Sequence, residues 1–91
     1  MSSNVRWSSS ALQDFTQTVE YIARDNPEAA ALVARTILDM TGSLEAFPGR
    51  GRPGRVEGTR ELLVPSYPYR IVYTETQPVS IVRILHDRQA P

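Results

Sequence analysis

One change of period governs what this chain can fold into. From Ala11 to Phe47 apolar residues recur at spacings of three and four, whereas from Arg60 to His86 they come in contiguous runs rich in Val, Ile, Leu and Tyr. The first pattern lays an apolar stripe along a helix, and the second suits strands buried on at least one face. Segregated helices and strands make an α+β fold, with helices covering one face of a sheet. Between the two regimes, Pro48 to Gly58 carries four glycines, two prolines and three arginines without apolar periodicity. Such a segment reads as an exposed loop of irregular backbone.

The helical half divides in two. Val5 and Trp7 share one face of a short N-terminal strand, and Ser8, Ser9 or Ser10 can cap the helix that follows. Leu12, Phe15, Val19 and Ile22 form its expected buried stripe, which runs from Ala11 to about Arg24. Asn26-Pro27-Glu28 is a stop and restart: an N-cap, a proline tolerated at the first helical position, and an acid at the positive end of the helix dipole. The second stripe is Ala30, Val33, Ile37, Met40 or Thr41, Leu44 and Phe47, with Gly42 marking an early end or a kink. So short a link folds the helices into an antiparallel hairpin. Arg60–Val64, Tyr69–Glu75 and Val79–His86 then read as three strands, and their short connections demand antiparallel pairing. Apolar residues of both parities in the last run suggest a central strand.

Ninety-one residues make one domain, residues 1–91, which buries only about 60% of its unfolded surface and needs a nearly continuous core. With no cysteine there is no disulfide framework or thiolate metal site, and one histidine cannot complete a zinc shell; no metal or other cofactor is expected. No apolar stretch approaches the roughly 20 residues of a membrane span, so a cytoplasmic protein is expected. The net charge of zero hides an asymmetry. Residues 1–45 hold three Arg against six acids, and residues 46–91 hold seven Arg against four. Every basic residue is arginine, a side chain that clamps phosphate or carboxylate but almost never acts as a base.

Gly49-Arg50-Gly51-Arg52-Pro53-Gly54 matches GxGxxG but follows a helix and precedes a strand, the reverse of the dinucleotide-binding context. Ser8–Ser10, His86 and Asp87 offer the residue types of a hydrolase triad without a strained elbow around any serine, so the serines read as caps. Arg50, Arg52, Arg55 and Arg60 could form a phosphate-binding ridge, diluted by Glu57 and Glu61, or an ordinary solvated loop. Arg83 interrupts the most apolar run, where charge is costly unless partnered. Either it pairs with Glu61 or Glu75, or it stands on an open sheet face for a ligand. His86 has the opposite parity, so the two need a twist or bulge to share a site.

In order, Val5-Arg6-Trp7, Tyr21-Ile22-Ala23, Asn26-Pro27-Glu28-Ala29-Ala30, Phe47-Pro48, Thr59-Arg60-Glu61-Leu62, Pro68-Tyr69-Arg70-Ile71-Val72-Tyr73 and Arg83-Ile84-Leu85-His86 resemble the RelE/ParE toxin superfamily along almost the whole chain. The resemblance implies an N-terminal strand, a helical hairpin and an antiparallel sheet of three further strands. It also implies a type II toxin–antitoxin module: growth arrest, neutralisation by a small antitoxin, and contact with operator DNA only through that antitoxin. Two activities occur in the superfamily, inhibition of DNA gyrase and ribosome-dependent mRNA cleavage. The absence of lysine tilts the reading toward the gyrase inhibitors, with an mRNA interferase as the alternative and a plain RNA-binding module as a third reading. If the chain is a ribonuclease, the resemblance points to His86, Arg83 and Arg60 as its catalytic set. Arg50, Arg52, Arg55, Arg70, Tyr73 and Arg88 are the candidate contacts to nucleic acid or a protein partner, and antitoxin acids are expected near Arg60 and Arg83.

Overall fold

The computed structural model describes residues 4–89. Strand β1 (Arg6–Trp7) leads into helices α1 (Ser9–Asp25) and α2 (Pro27–Ser43), followed by β2 (Arg52–Pro53), β3 (Thr59–Leu63), β4 (Tyr69–Thr74) and β5 (Ser80–His86). The strands form one sheet in the order β1-β5-β4-β3-β2. β1 runs parallel to β5, and every other neighbouring pair is antiparallel.

Local chemistry sets the helix limits. Ser8 is the cap chosen from the three serines: its Oγ accepts from the Ala11 amide at 3.0 Å and donates to the Val82 carbonyl at 2.8 Å, tying the start of α1 to β5. Asn26 ends one helix and begins the next. Its amide donates to the Ile22 carbonyl at 2.9 Å while its Oδ1 accepts from the Ala29 amide at 3.1 Å, with Pro27 opening α2. One residue thus serves two orphaned helix ends, and the hairpin needs no loop.

The core lies between the hairpin and one face of the sheet. Val33, Ile37, Met40 and Leu44 of α2 and its C-cap meet Leu62, Ile71, Tyr73, Ile81 and Ile84 of the strands. Both Met40 and Thr41 are buried, but Phe47 is exposed rather than part of the stripe. In α1 the expected phase is corrected: Ala11 and Thr18 are buried, Phe15 and Ile22 pack on the core, and Leu12 is 53% exposed. The face 11-15-18-22 keeps helical spacing but is turned by about 50° from 12-15-19-22, half of one residue's 100°.

Two strand expectations are also amended. The segment 48–58 is not wholly irregular, because Arg52 and Pro53 pair with Glu61 and Arg60 as an edge strand. Pro53 is allowed there since an outer edge needs no ladder donor. β4, not β5, occupies the middle of the sheet. β1 covers β5 only at Ser80 and Ile81 before Ser8 turns the chain into α1, so the rest of β5 is an edge.

Candidate functional site

The three residues of the expected catalytic set do not converge. Arg60 lies opposite Tyr73 on β4, and His86 lies opposite Tyr69. Those β4 positions are four residues apart, about 13 Å along the strand, and β3 and β5 flank β4 on opposite sides, about 10 Å apart. Arg83 and His86 are three positions apart on β5. A bulge does occur in this strand: Val72 pairs with Arg83 and Tyr73 with Ile81, which leaves Val82 as the extra residue. It precedes Arg83, so the alternation between Arg83 and His86 survives and their side chains start from opposite faces, yet the Arg83 guanidinium reaches Asp14, which lines the same groove as His86.

Each cation of that set is engaged within the fold. Arg83 pairs with neither Glu61 nor Glu75 but with Asp14 of α1: its Nε donates to Oδ2 at 2.7 Å and an Nη to Oδ1 at 3.1 Å. Asp14 Oδ2 also accepts the Ile84 amide at 3.0 Å, so one carboxylate holds the guanidinium and caps the open edge of β5. Hydrogen bonding to Asp14 raises the Arg83 pKa further above its ordinary value. Arg60 donates through Nε to Glu75 at 2.8 Å and through an Nη to the Gly51 carbonyl at 2.7 Å. It braces the glycine-rich segment against the end of β4.

His86 is half-buried. Its ring meets Tyr69 edge-on at 5.3 Å, its Nδ1 accepts from the Arg88 amide at 3.1 Å, and its own amide donates to the Gln89 side chain at 2.8 Å. An accepting Nδ1 assigns the neutral ring's proton to Nε2. His86, Tyr69, Ile84 and Gln89 form one wall of a groove of about 270 Å³ whose other wall is Asp14, Gln17, Thr18 and Tyr21 of α1. Burial, reinforced by neighbouring Tyr21, raises the Tyr69 pKa. Gln17 is shared with a shallower depression of about 390 Å³ beside exposed Leu12, lined also by Gln13 and Thr16. The groove and depression give α1 and the end of β5 a continuous surface of mixed polar and apolar character.

The expected contact residues split into two groups. Arg50, Arg52, Arg55 and Arg88 are exposed. Arg50 donates to Ser43 Oγ at 2.8 Å, and Arg52 stands 4.0 Å from Glu61. Arg70 and Tyr73 are corrected: they are 1% and 0% exposed and offer no surface to a partner. Tyr73 Oη accepts from the Gly51 amide at 2.8 Å and donates to the Pro48 carbonyl at 2.7 Å, pinning the glycine-rich segment to the sheet. A Cβ on Gly51 would lie 2.8 Å from that tyrosine's ring and oxygen, which is why the segment has glycine there.

Arg70 is reached by Glu61, whose Oε1 lies 3.6 Å from its Nε, and it donates to the His86 and Gln89 carbonyls at 3.1 and 2.5 Å. Among the described residues no group of three or more His, Asp or Glu side chains is placed to hold a metal ion. The GxGxxG segment is followed by β3, without the helix a pyrophosphate would need. Asp14 carries no mark of its role in the sequence, and Glu61, one of two expected partners of Arg83, faces Arg70 instead. Asp14 sits on the polar side of an amphipathic helix, like Gln13 and Gln17, and its partner is 69 residues away.

Residues 5–91 match the family described as the ParE toxin of the type II toxin-antitoxin system parDE. The protein Y4kP of Sinorhizobium fredii is 38% identical over 85 residues, covering 93% of this chain and 88% of its own. The toxin RelE2 of Caulobacter vibrioides is 35% identical over 82 residues, covering 90% and 92%. A solved structure of the chromosomal ParDE system from P. aeruginosa superposes with a TM-score of 0.82 over 92% of this chain and 95% of its counterpart. At 22% identity that last likeness speaks for the fold.

Proposed function

The chain belongs to the ParE toxin family of type II toxin–antitoxin systems, a toxin with a cognate antitoxin, and on that premise we propose that it arrests growth by docking on DNA gyrase without cutting RNA. One observation carries this reading: the side chains that would have to surround a scissile phosphate are dispersed over the sheet. In-line cleavage of RNA needs a base, an acid and cations within contact distance of one phosphate. Arg83 is spent on Asp14, Arg60 on Glu75 and a backbone carbonyl, and His86 stands at the far end of β4 from Arg60. Nor does the chain hold a lysine to replace them.

Docking requires no such convergence. It needs a firm, partly apolar surface with exposed cations, and the groove beside α1, Leu12 and Arg88 supplies one. Because Arg60 and Arg83 already have close carboxylate partners and Arg52 stands 4.0 Å from Glu61, acids of the antitoxin are better matched to Arg55 and Arg88. In a purified system the toxin should block ATP-dependent supercoiling by gyrase, and added antitoxin should restore it. Unimpaired supercoiling at toxin in large excess, together with cleavage of ribosome-bound mRNA, would establish the interferase reading instead. Salt-sensitive RNA binding without either effect would favour an RNA-binding module.

A further inference from the structure

We infer that Arg70, buried beneath the sheet surface, is a positioning residue that holds the C-terminal segment His86–Gln89 in the shape with which the toxin meets its target. The inference rests on the docking reading above, in which that segment is part of the contact surface.

A full positive charge on the middle strand at 1% exposure demands compensation. Its one acidic neighbour among the described residues, Glu61, is itself 3% exposed and stands on the same face, since Glu61 pairs with Val72, two residues along β4 from Arg70. The contact is not a close ion pair. Nε makes no hydrogen bond among the described residues and lies 3.6 Å from the carboxylate, so the guanidinium is aimed elsewhere. Its two Nη groups each take a backbone carbonyl of the C-terminal segment, His86 and Gln89.

Those carbonyls belong to a tight turn that has one other backbone bond to the rest of the fold, the Asp87 amide to the Pro68 carbonyl at 2.8 Å, and is otherwise held by its own atoms. The Gln89 amide donates to the His86 carbonyl at 2.9 Å, the Arg88 amide to His86 Nδ1, and the His86 amide to Gln89 Oε1. Anchored only at Asp87, a short exposed turn would fray at Arg88 and Gln89. A planar fork that grips both ends of it from the rigid strand below fixes the exposed Arg88 and the tautomer of His86 together. The other side of the network reaches the arginine-rich segment, because Glu61 Oε2 accepts the Arg55 amide at 3.1 Å. One buried pair therefore ties both exposed basic segments to the sheet.

Arg70→Lys is the informative change. It keeps the charge that Glu61 requires but replaces a two-pronged fork by a single ammonium. In the full chain, the Arg88 and Gln89 amides should then exchange with solvent about tenfold faster or more, while Ile71 and Ile84 stay protected. The imidazole ¹⁵N shifts of neutral His86 should move from the Nε2-protonated tautomer toward a mixture, a change that lowered global stability would not produce. Inhibition of gyrase should weaken by about tenfold, the scale of losing one contact of a small interface. Unchanged exchange and tautomer would overturn the clamp. Loosening of the turn with undiminished inhibition would overturn its functional half, provided Arg88→Ala itself weakens inhibition. If Arg88→Ala has no effect, the docking surface was wrongly chosen, the functional half falls with it, and the exchange data alone decide the clamp. Should the lysine variant fail to fold, the wild-type protein decides: Arg70 Nη protons protected from solvent and coupled through hydrogen bonds to the His86 and Gln89 carbonyl carbons support it. A solvent-averaged guanidinium overturns it.

Discussion

Replacing Tyr73 by phenylalanine removes one oxygen atom, and the structure states what that atom does. The ring is fully buried and stays in place, so apolar burial is almost unchanged. Two hydrogen bonds disappear. The Gly51 amide, itself buried, loses its acceptor at 2.8 Å, and the Pro48 carbonyl loses its donor at 2.7 Å. An orphaned buried N–H costs about 1–3 kcal/mol, whereas the half-exposed Pro48 carbonyl can take up water and should cost about 0.5–1 kcal/mol. The sum is about 1.5–4 kcal/mol, or roughly 6–30 °C in Tm for a chain of this size. Urea unfolding with linear extrapolation reads the global term, and exchange of the Gly51 amide reads the local one. If the loop simply lifts away, Gly51 exchange accelerates by more than the global stability falls. A loss below about 0.5 kcal/mol with Gly51 still protected would refute the anchoring role.

Three further outcomes can be checked on the purified protein. Asp14→Ala should cost about 1–3 kcal/mol and Arg83→Ala less, because only the first also releases the Ile84 amide; with Arg83 39% exposed, the coupling in a four-variant cycle should be about 0.5–1 kcal/mol, and zero coupling would contradict the pair. Ala11→Leu should destabilise by about 1–3 kcal/mol and Leu12→Ala by less than about 1 kcal/mol, and the reverse order in urea unfolding would contradict the phase of α1. Tyr69 has a folded pKa above its unfolded one, so folding favours its protonated form; that stability is full below the unfolded pKa, near 10, and is lost as pH rises through the folded value. Tyr69→Phe should flatten the decline of stability above about pH 10, and an unaltered slope would show that Tyr69 does not contribute to it.

What was legible in the sequence follows from how local each cause is. Asn26-Pro27-Glu28 acts on its own neighbours, so the hairpin's turn could be placed to the residue. The three later strands were legible from their composition and short connections. The phase of α1 was ambiguous because Phe15 and Ile22 belong to either stripe, and only packing against β5 decides for Ala11 and Thr18 over Leu12 and Val19. β2 carries no strand signal of its own, since Arg52 and Pro53 are recruited by the edge of β3. The arginines illustrate the limit best. Arg83 and Arg70 both interrupt apolar runs, and the rule that a buried charge needs a partner applies to each. It drew attention to Arg83, which is partly exposed, while Arg70 is the cation that is fully buried. Sequence showed that a charge sits in a strand; only the register and the path of the C-terminal segment show which charge is covered and by what.

The most direct test of docking without cleavage is a map of mRNA 5′ ends in cells arrested by the toxin alone, read beside the superhelical density of a reporter plasmid. Docking on gyrase predicts a loss of negative supercoiling with no new 5′ ends inside translated codons. New 5′ ends within open reading frames, dependent on translation and accompanied by normal supercoiling, would contradict it.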